Sequence, residues 1–149
     1  DVYDSAKFLY KINELYRWFP LTRPLSVFPG TMIAKRLEDD GLLINNNYRE
    51  PLTCYRYQDE RIAHLAEAMY EFYSQHHALD KLVNRKLQDE TTESDYSILK
   101  NQLSETNLRN FLSLARLIES AENTGKEQEL LANWIDEVKT ILEKEEIAA

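Results

Sequence analysis

Basic residues that could contact nucleic-acid phosphates are concentrated between residues 23 and 56. Lys35 and Arg36 fall within a predicted helix over residues 29–40. The start of a helix attracts anions because its N–H groups and its dipole both favour negative charge. A DNA-binding role predicts six contact residues: Arg23, Thr31, Lys35, Arg36, Arg49 and Arg56. The alternative is a solvated surface on which Lys35 pairs with Asp39, four residues further along the helix.

The histidine, cysteine and glycine patterns do not favour catalysis or metal binding. His64, His76 and His77 lack the spacing that brings three or four ligands together. Cys54 lies in no nucleophile signature, and the three glycines of the chain cannot form a glycine-rich phosphate loop. We therefore predict a protein that is not an enzyme and that binds no cofactor and no metal. The single cysteine also leaves no partner for an internal disulfide, which favours a reducing cytoplasm.

Aromatic residues are concentrated in the N-terminal half, where thirteen of the sixteen precede residue 74. Eight of them could line a ligand pocket or stack on bases: Trp18, Phe19, Phe28, Tyr48, Tyr55, Tyr57, Tyr70 and Tyr73. Because they recur at helix and strand periods, packing in a core is the favoured interpretation for most of them.

Charge is distributed unevenly along the 149 residues, whose net charge is −8. Residues 1–61 carry nine basic and nine acidic side chains, whereas residues 62–149 carry nine basic and seventeen acidic ones. The acidic half would repel nucleic acid and membrane surfaces, so any DNA contact is assigned to the N-terminal half. No membrane span is predicted, because no run of about 18 apolar residues occurs.

The spacing of apolar residues predicts a mainly α protein with one short β-ribbon. Gly41 lies where a left-handed residue would end a helix, and an interruption is predicted at residues 74–77. Two short strands, residues 42–44 and 52–57, flank three asparagines that favour a turn. Helices are predicted over residues 4–19, 29–40, 59–87, 94–103, 105–122 and 126–145.

The segment Lys35-Arg36-Leu37-Glu38-Asp39-Asp40-Gly41-Leu42, and more loosely residues 55–68, resembles winged-helix regulators of the PadR and MarR type. The resemblance covers residues 5–73. It implies that residues 29–40 form the recognition helix and that residues 42–57 form the wing. The helix that follows Asp59 would then pack behind them or lead to a dimer interface.

The predicted fold is therefore a winged helix, with a helix-turn-helix and a small β-hairpin, followed by a helical C-terminal extension. We predict a winged-helix-like domain over residues 1–75 and the extension over residues 76–149, with a linker at about 88–95. One continuous domain is the alternative. The apolar face of the last helix could be bundle core or a homodimer interface; it comprises Leu131, Trp134, Ile135, Val138, Ile141 and Leu142.

Two functions from different classes are consistent with these patterns. The first is a cytoplasmic transcriptional regulator that binds double-stranded DNA as a homodimer. The second is a protein-interaction subunit of a multi-subunit, phage or defence complex that binds a protein partner and not DNA, which the acidic balance favours. Basic residues side by side on one face would indicate DNA. An exposed apolar patch would indicate a protein partner.

Overall fold

The chain is described here by a computed structural model that covers residues 2–22, 30–44, 55–120 and 125–148. These ranges form helices with the bounds α1 Val2–Lys11, α2 Phe19–Thr22, α3 Met32–Asp39, α4 Glu60–Asp89, α5 Glu93–Glu119 and α6 Lys126–Ala148. The mainly α part of the predicted fold is confirmed. None of the helices in the described ranges is long and apolar enough to cross a membrane.

The main core forms where α5 packs against α1, α4 and α6. Three aromatic rings meet inside it, with the Phe72 ring centroid 4.7 Å from that of Trp18 and 5.0 Å from that of Trp134. Trp18 belongs to the short segment between α1 and α2. This segment is therefore anchored to the long helices through a buried side chain.

The first helix ends eight residues earlier than the predicted residue 19. Asn13 adopts a positive φ of 64°, the N–H of Glu14 donates to the Leu9 carbonyl at 3.0 Å, and that of Asn13 donates to the Tyr10 carbonyl at 3.1 Å. This pair of bonds around a left-handed residue is the Schellman motif that ends many helices. Leu15 then enters the core from a turn and not from a helix.

The long helix α4 begins after Asp59, whose side chain accepts a hydrogen bond from the Arg61 N–H at 2.9 Å. A hydrogen bond from the Arg61 side chain also lowers the pKa of Asp59 below its usual value. The helix runs to Asp89 with a kink at His76, whose φ is −124° and ψ is 20°. The kink lies within the predicted interruption at residues 74–77.

The prediction of a winged helix is wrong for the described residues, which contain no strand or sheet. The two flanks of the predicted wing meet in a single antiparallel bridge between Leu43 and Tyr55. The physical reason lies in the end of α3, where the N–H groups of Leu42 and Leu43 both donate to the Leu37 carbonyl, at 2.8 and 3.2 Å. Both amides complete the helix end, and the Leu42 N–H, which faces Arg56, is therefore not free for a strand ladder. The rest of the predicted wing, residues 45–54, lies outside the described ranges.

Helix α3 packs in a second, smaller cluster in which Ala34 and Tyr55 are buried and Leu37 and Tyr57 pack against them. A recognition helix would instead pack with other helices of a helix-turn-helix. The predicted division at residue 75 falls inside α4, beside the kink. The main core takes side chains from both sides of this point, so the division into two domains stays a prediction.

Candidate functional site

A groove separates the small α3 cluster from the N-terminal third of α4. One wall comprises residues 40–44 and 55–58, and the cavity between the walls measures about 770 Å³. We call it the tyrosine groove. The α4 wall follows helical spacing over ten residues, or about 15 Å; its side chains are Glu60, Ala63, Ala66, Glu67 and Tyr70.

Side-chain size explains why the groove is open. Ala63 and Ala66 place only methyl groups along its α4 wall, so the space beside the helix is not filled. Opposite them, the rings of Tyr55 and Tyr57 pack edge to face with centroids 5.6 Å apart. Tyr55 is buried and forms the inner part of the wall. The sequence thus places small residues on one wall and large flat ones on the other.

Apolar surface is exposed along the tyrosine groove. The side chain of Ile44 is 54% exposed and that of Tyr70 is 47% exposed, although both are large. On the outward side of α3, Met32 is 90% exposed and Ile33 is 46% exposed. A concentration of exposed apolar side chains around a groove is typical of a surface that binds a partner.

Acidic side chains border the tyrosine groove at Asp40, Glu60 and Glu67. Within the described residues, neither Glu60 nor Glu67 forms an ion pair. Among the described residues that line the groove, the basic one is Arg56, whose Nη2 donates to the Gly41 carbonyl at 3.1 Å and thus supports the bridge. The groove is therefore apolar at its centre and carries an excess of negative charge at its edge.

A second groove continues from the first on the other side of Tyr57 and Ala66, which line both. Its cavity measures about 500 Å³, and its lining is almost entirely apolar. Val2 and Leu9 of α1 form one side, and Ile62 of α4 forms the other. Tyr57 is the ridge between the two grooves.

The residues predicted to bind DNA are only partly brought together. Arg23 and Arg49 lie outside the described residues. Lys35 and Arg36 are exposed on α3, and the Nε of Arg36 lies 3.9 Å from a carboxylate oxygen of Asp40, four residues further along the chain. An ion pair between residues four positions apart is what the solvated-surface alternative predicts, but it joins Arg36 to Asp40 and not Lys35 to Asp39.

The other two predicted DNA contacts have local structural roles. The Thr31 hydroxyl accepts a hydrogen bond from the Ala34 N–H at 3.3 Å and caps the start of α3. Arg56 supports the bridge as described above. DNA binding by these side chains stays a prediction.

The face of α6 predicted as core or dimer interface lies in the chain's own core. Trp134, Ile135, Val138 and Leu142 are buried, and Leu131 and Ile141 pack against the core cluster. Trp134 has no exposed surface in the single chain. This burial against α5 and α4 matches the bundle-core alternative, and a homodimer interface on this face stays a prediction.

A buried polar network, which sequence analysis did not identify, positions the segment before α2. Asp80 is 1% exposed and accepts hydrogen bonds from the Arg17 side chain and from the Trp18 N–H. Asn107 accepts from the indole N–H groups of Trp18 and Trp134. Asp80 and Asn107 are almost fully buried, so the network is assigned to stability and to the placement of α1 and α2.

The histidines do not form a metal site in the described part of the chain, where no group of three or more potential ligands occurs. His64 Nε2 lies 2.9 Å from a carboxylate oxygen of Glu127 and links α4 to α6 at the surface. His76 lines a cavity of about 300 Å³ between these helices, together with the acidic residues Glu71, Glu127 and Asp136.

The stability of the folded chain should decrease as the pH falls through about 6.5, the unperturbed pKa of histidine, partly because of His76. Its partial burial, and secondarily the positive charge of Lys139, lower its pKa in the folded state. The unfolded chain then takes up the proton first, and unfolding becomes more favourable at acid pH. Urea denaturation at about pH 7.5 and pH 5 tests this. His76→Gln should reduce the decrease in the free energy of unfolding between these two pH values, whereas His77→Gln, at an exposed position, should not. An equal decrease in the two variants would contradict the role of His76.

Compared with protein-family models, curated proteins and solved structures, the chain matches none of them.

Proposed function

We propose that this chain is a non-enzymatic protein-interaction subunit that binds a helical segment of a partner protein in the tyrosine groove. The observation that carries the proposal is the exposed apolar surface of Ile44 and Tyr70 beside a preformed cavity. Single exposed apolar side chains are common on protein surfaces, but exposed apolar side chains that line a cavity together are typical of a surface that binds a partner.

The shape of the groove favours a helix as its occupant. The α4 wall is about 15 Å long, which corresponds to about three turns of a second helix. A helix laid in a groove inserts side chains at positions i, i+3 or i+4, and i+7. Alanines at Ala63 and Ala66 leave room for such side chains, and Tyr57 and Tyr70 provide aromatic surface with a polar end.

Electrostatics support a protein partner over DNA. The exposed cations Lys35 and Arg36 on α3 are followed, after Leu37, by three acids that are also exposed, Glu38, Asp39 and Asp40. Phosphate contacts supply most of the affinity of a DNA-binding surface, so acids at this position would oppose it. In addition, the described residues contain no strand of the wing that would have supported such a contact.

Replacing Ile44 with Ser should weaken partner binding by about tenfold, the effect of losing one well-buried apolar contact in an interface. Proteins captured from lysate of the source cells by the native chain are identified by mass spectrometry. Each is then purified and titrated against the native chain and the variant by calorimetry. Ile98→Ser is the matched control, since Ile98 is 50% exposed on α5 and lies outside the groove.

Equal affinity of a purified partner for the Ile44→Ser and Ile98→Ser variants would contradict the proposal. A labelled random duplex provides the second arm of the experiment. A DNA-binding surface would be indicated instead if the duplex bound with an affinity that falls as salt increases, and if this dependence were less steep in a Lys35→Ala, Arg36→Ala double variant.

A further inference from the structure

We infer that the segment bound in the tyrosine groove is a cationic amphipathic helix, with Lys or Arg on both sides of an apolar stripe. This inference rests on the proposed function and specifies the chemistry of the partner. Its two supports are the apolar centre of the groove and the carboxylates of Glu60 and Glu67 at its edge, which form no ion pair within the described residues.

The apolar centre of the groove determines which side chains the partner helix needs along its middle. Leu42, Ile44 and Tyr57 face Ala63 and Ala66 across the cavity. Aliphatic side chains at helical spacing would fill this space and cover the exposed part of Ile44. An entirely polar or extended basic peptide would leave it unfilled, so charge alone does not define the partner.

The charge at the edge of the groove determines which side chains the partner helix needs on its two flanks. Glu60 and Glu67 lie two helical turns apart on α4, and Asp40 lies across the groove. Glu60 and Glu67 lack an ion pair within the described residues, and Arg56 is directed to the Gly41 carbonyl. Basic side chains spaced about two turns apart on the partner would match these carboxylates. An acidic helix would be repelled, because charge at an interface selects between partners.

The outward face of α3 identifies the competing occupant, a second copy of this chain. Met32 and Arg36 are both strongly exposed there and could enter the groove of another molecule. The α3 helix is only eight residues long, and its last residues are Glu38 and Asp39. These acids would meet the acidic edge of the groove, so a separate cationic helix fits better.

Two designed peptides test the inference with the full chain. Both are stapled fluorescent helices of about three turns with the same leucine stripe; one carries lysines on its flanks and the other carries glutamates. Fluorescence anisotropy should show that the native chain binds the lysine peptide at least about tenfold more tightly. A Glu60→Lys, Glu67→Lys variant should reverse this preference.

A matched charge control separates the groove from the general attraction between an acidic protein and a cationic peptide. Glu105→Lys with Glu143→Lys changes the net charge by the same amount, and both residues are exposed outside the groove. This control should keep the preference for the lysine peptide. A loss equal to that of the groove variant would overturn the inference, and so would the absence of binding by the lysine peptide.

Two further outcomes distinguish a failed inference from a failed proposal. Equal binding of both peptides, weakened in each case by Ile44→Ser and not by Ile98→Ser, would overturn the charge inference and leave helix docking in place. Concentration-dependent dimerisation in sedimentation experiments that Ile44→Ser abolishes would show that a second copy occupies the groove, and would also overturn it.

Discussion

Replacing Asn107 with Leu should lower the free energy of unfolding by about 4 kcal/mol, because it leaves three buried polar groups without partners at about 1–3 kcal/mol each. The Asn107 Oδ1 accepts from the Nε1 of Trp18 at 3.0 Å and from the Nε1 of Trp134 at 2.9 Å. Its Nδ2 donates to the Leu15 carbonyl at 2.8 Å. Leucine is similar in size, so the change removes the hydrogen bonds and largely keeps the packing.

The large expected effect reflects how many elements Asn107 joins. It lies on α5, whereas Trp134 lies on α6 and both Leu15 and Trp18 lie in the segment between α1 and α2. One amide therefore fixes that segment against two long helices. Water cannot replace the lost partners easily, because Trp18, Asn107 and Trp134 are all at least 98% buried.

Urea denaturation followed by tryptophan fluorescence measures the effect at the site itself, because the only two tryptophans of the chain are the two that bond to Asn107. Asn101→Leu, at an exposed position of α5, should change stability by no more than about 0.5 kcal/mol. In a Trp134→Phe background, which lacks one indole donor, Asn107→Leu should be less harmful. The same loss in both backgrounds would contradict a role for the Trp134 bond.

The buried polar network could be predicted from the sequence only in part. The apolar stripe of α4 follows Phe72, Val83 and Leu87 at helical spacing, and Asp80 falls on the same stripe. Likewise, Asn107 lies on the α5 stripe between Leu103 and Leu114. Polar residues at core positions need partners, so the pattern contained a signal for both. It could not identify the partners, since those come from residues at least 27 positions away.

The helices were more predictable than the site. Asp59 as a cap, Gly41 with a φ of 69° after α3, and the kink near His76 all follow from local chemistry. The end of α1 could not be predicted in the same way. A left-handed Asn13 is one of several ways to end a helix, and Pro20, next to the predicted end at residue 19, is a stronger helix-ending signal in the sequence. The bridge at Leu43 does not extend into a strand on the α3 side because the adjacent Leu42 N–H donates to the Leu37 carbonyl, and apolar periodicity does not report which partner this amide takes.

The tyrosine groove combines both kinds of residue. Tyr55, Tyr57 and Tyr70 are among the aromatic residues that could line a pocket according to the sequence, and all three line this one. No sequence pattern assigns Glu60 and Glu67 to such a pocket. Their position at the groove depends on the tertiary fold, which places α4 beside the segment of Tyr55.

Replacing Asp80 with Ala should lower the free energy of unfolding by about 3 kcal/mol, at the low end for breaking a buried ion pair. Its Oδ2 accepts from the Arg17 Nε at 3.1 Å and Nη2 at 2.8 Å, and its Oδ1 accepts from the Trp18 N–H at 3.0 Å. The Arg17 side chain is 29% exposed, so water can partly solvate the guanidinium after the change. The Trp18 N–H has no such access.

Asp80→Asn separates the contribution of the ion pair with Arg17 from that of the hydrogen bond to the Trp18 N–H. Asparagine can still accept this hydrogen bond but carries no charge. It should lose about half as much stability as Asp80→Ala, since the neutral hydrogen bond contributes about 1 kcal/mol and the buried carboxylate no longer requires a cation. Arg17→Met should be harmful by itself, because it leaves the carboxylate buried and unpaired. It should be much less harmful in the Asp80→Asn background.

Hydrogen exchange locates the consequence of the Asp80 change. Protection should fall first in residues 12–22, which the network holds against α4, and later in α5 and α6, whose mutual packing does not involve Asp80. Asp89→Ala, at the exposed end of the same helix, is the control. If Asp80→Ala changed stability no more than this control, the desolvation of the carboxylate would cancel the energy of its hydrogen bonds. The segment would then be held in place by Leu15 and Trp18 packing alone.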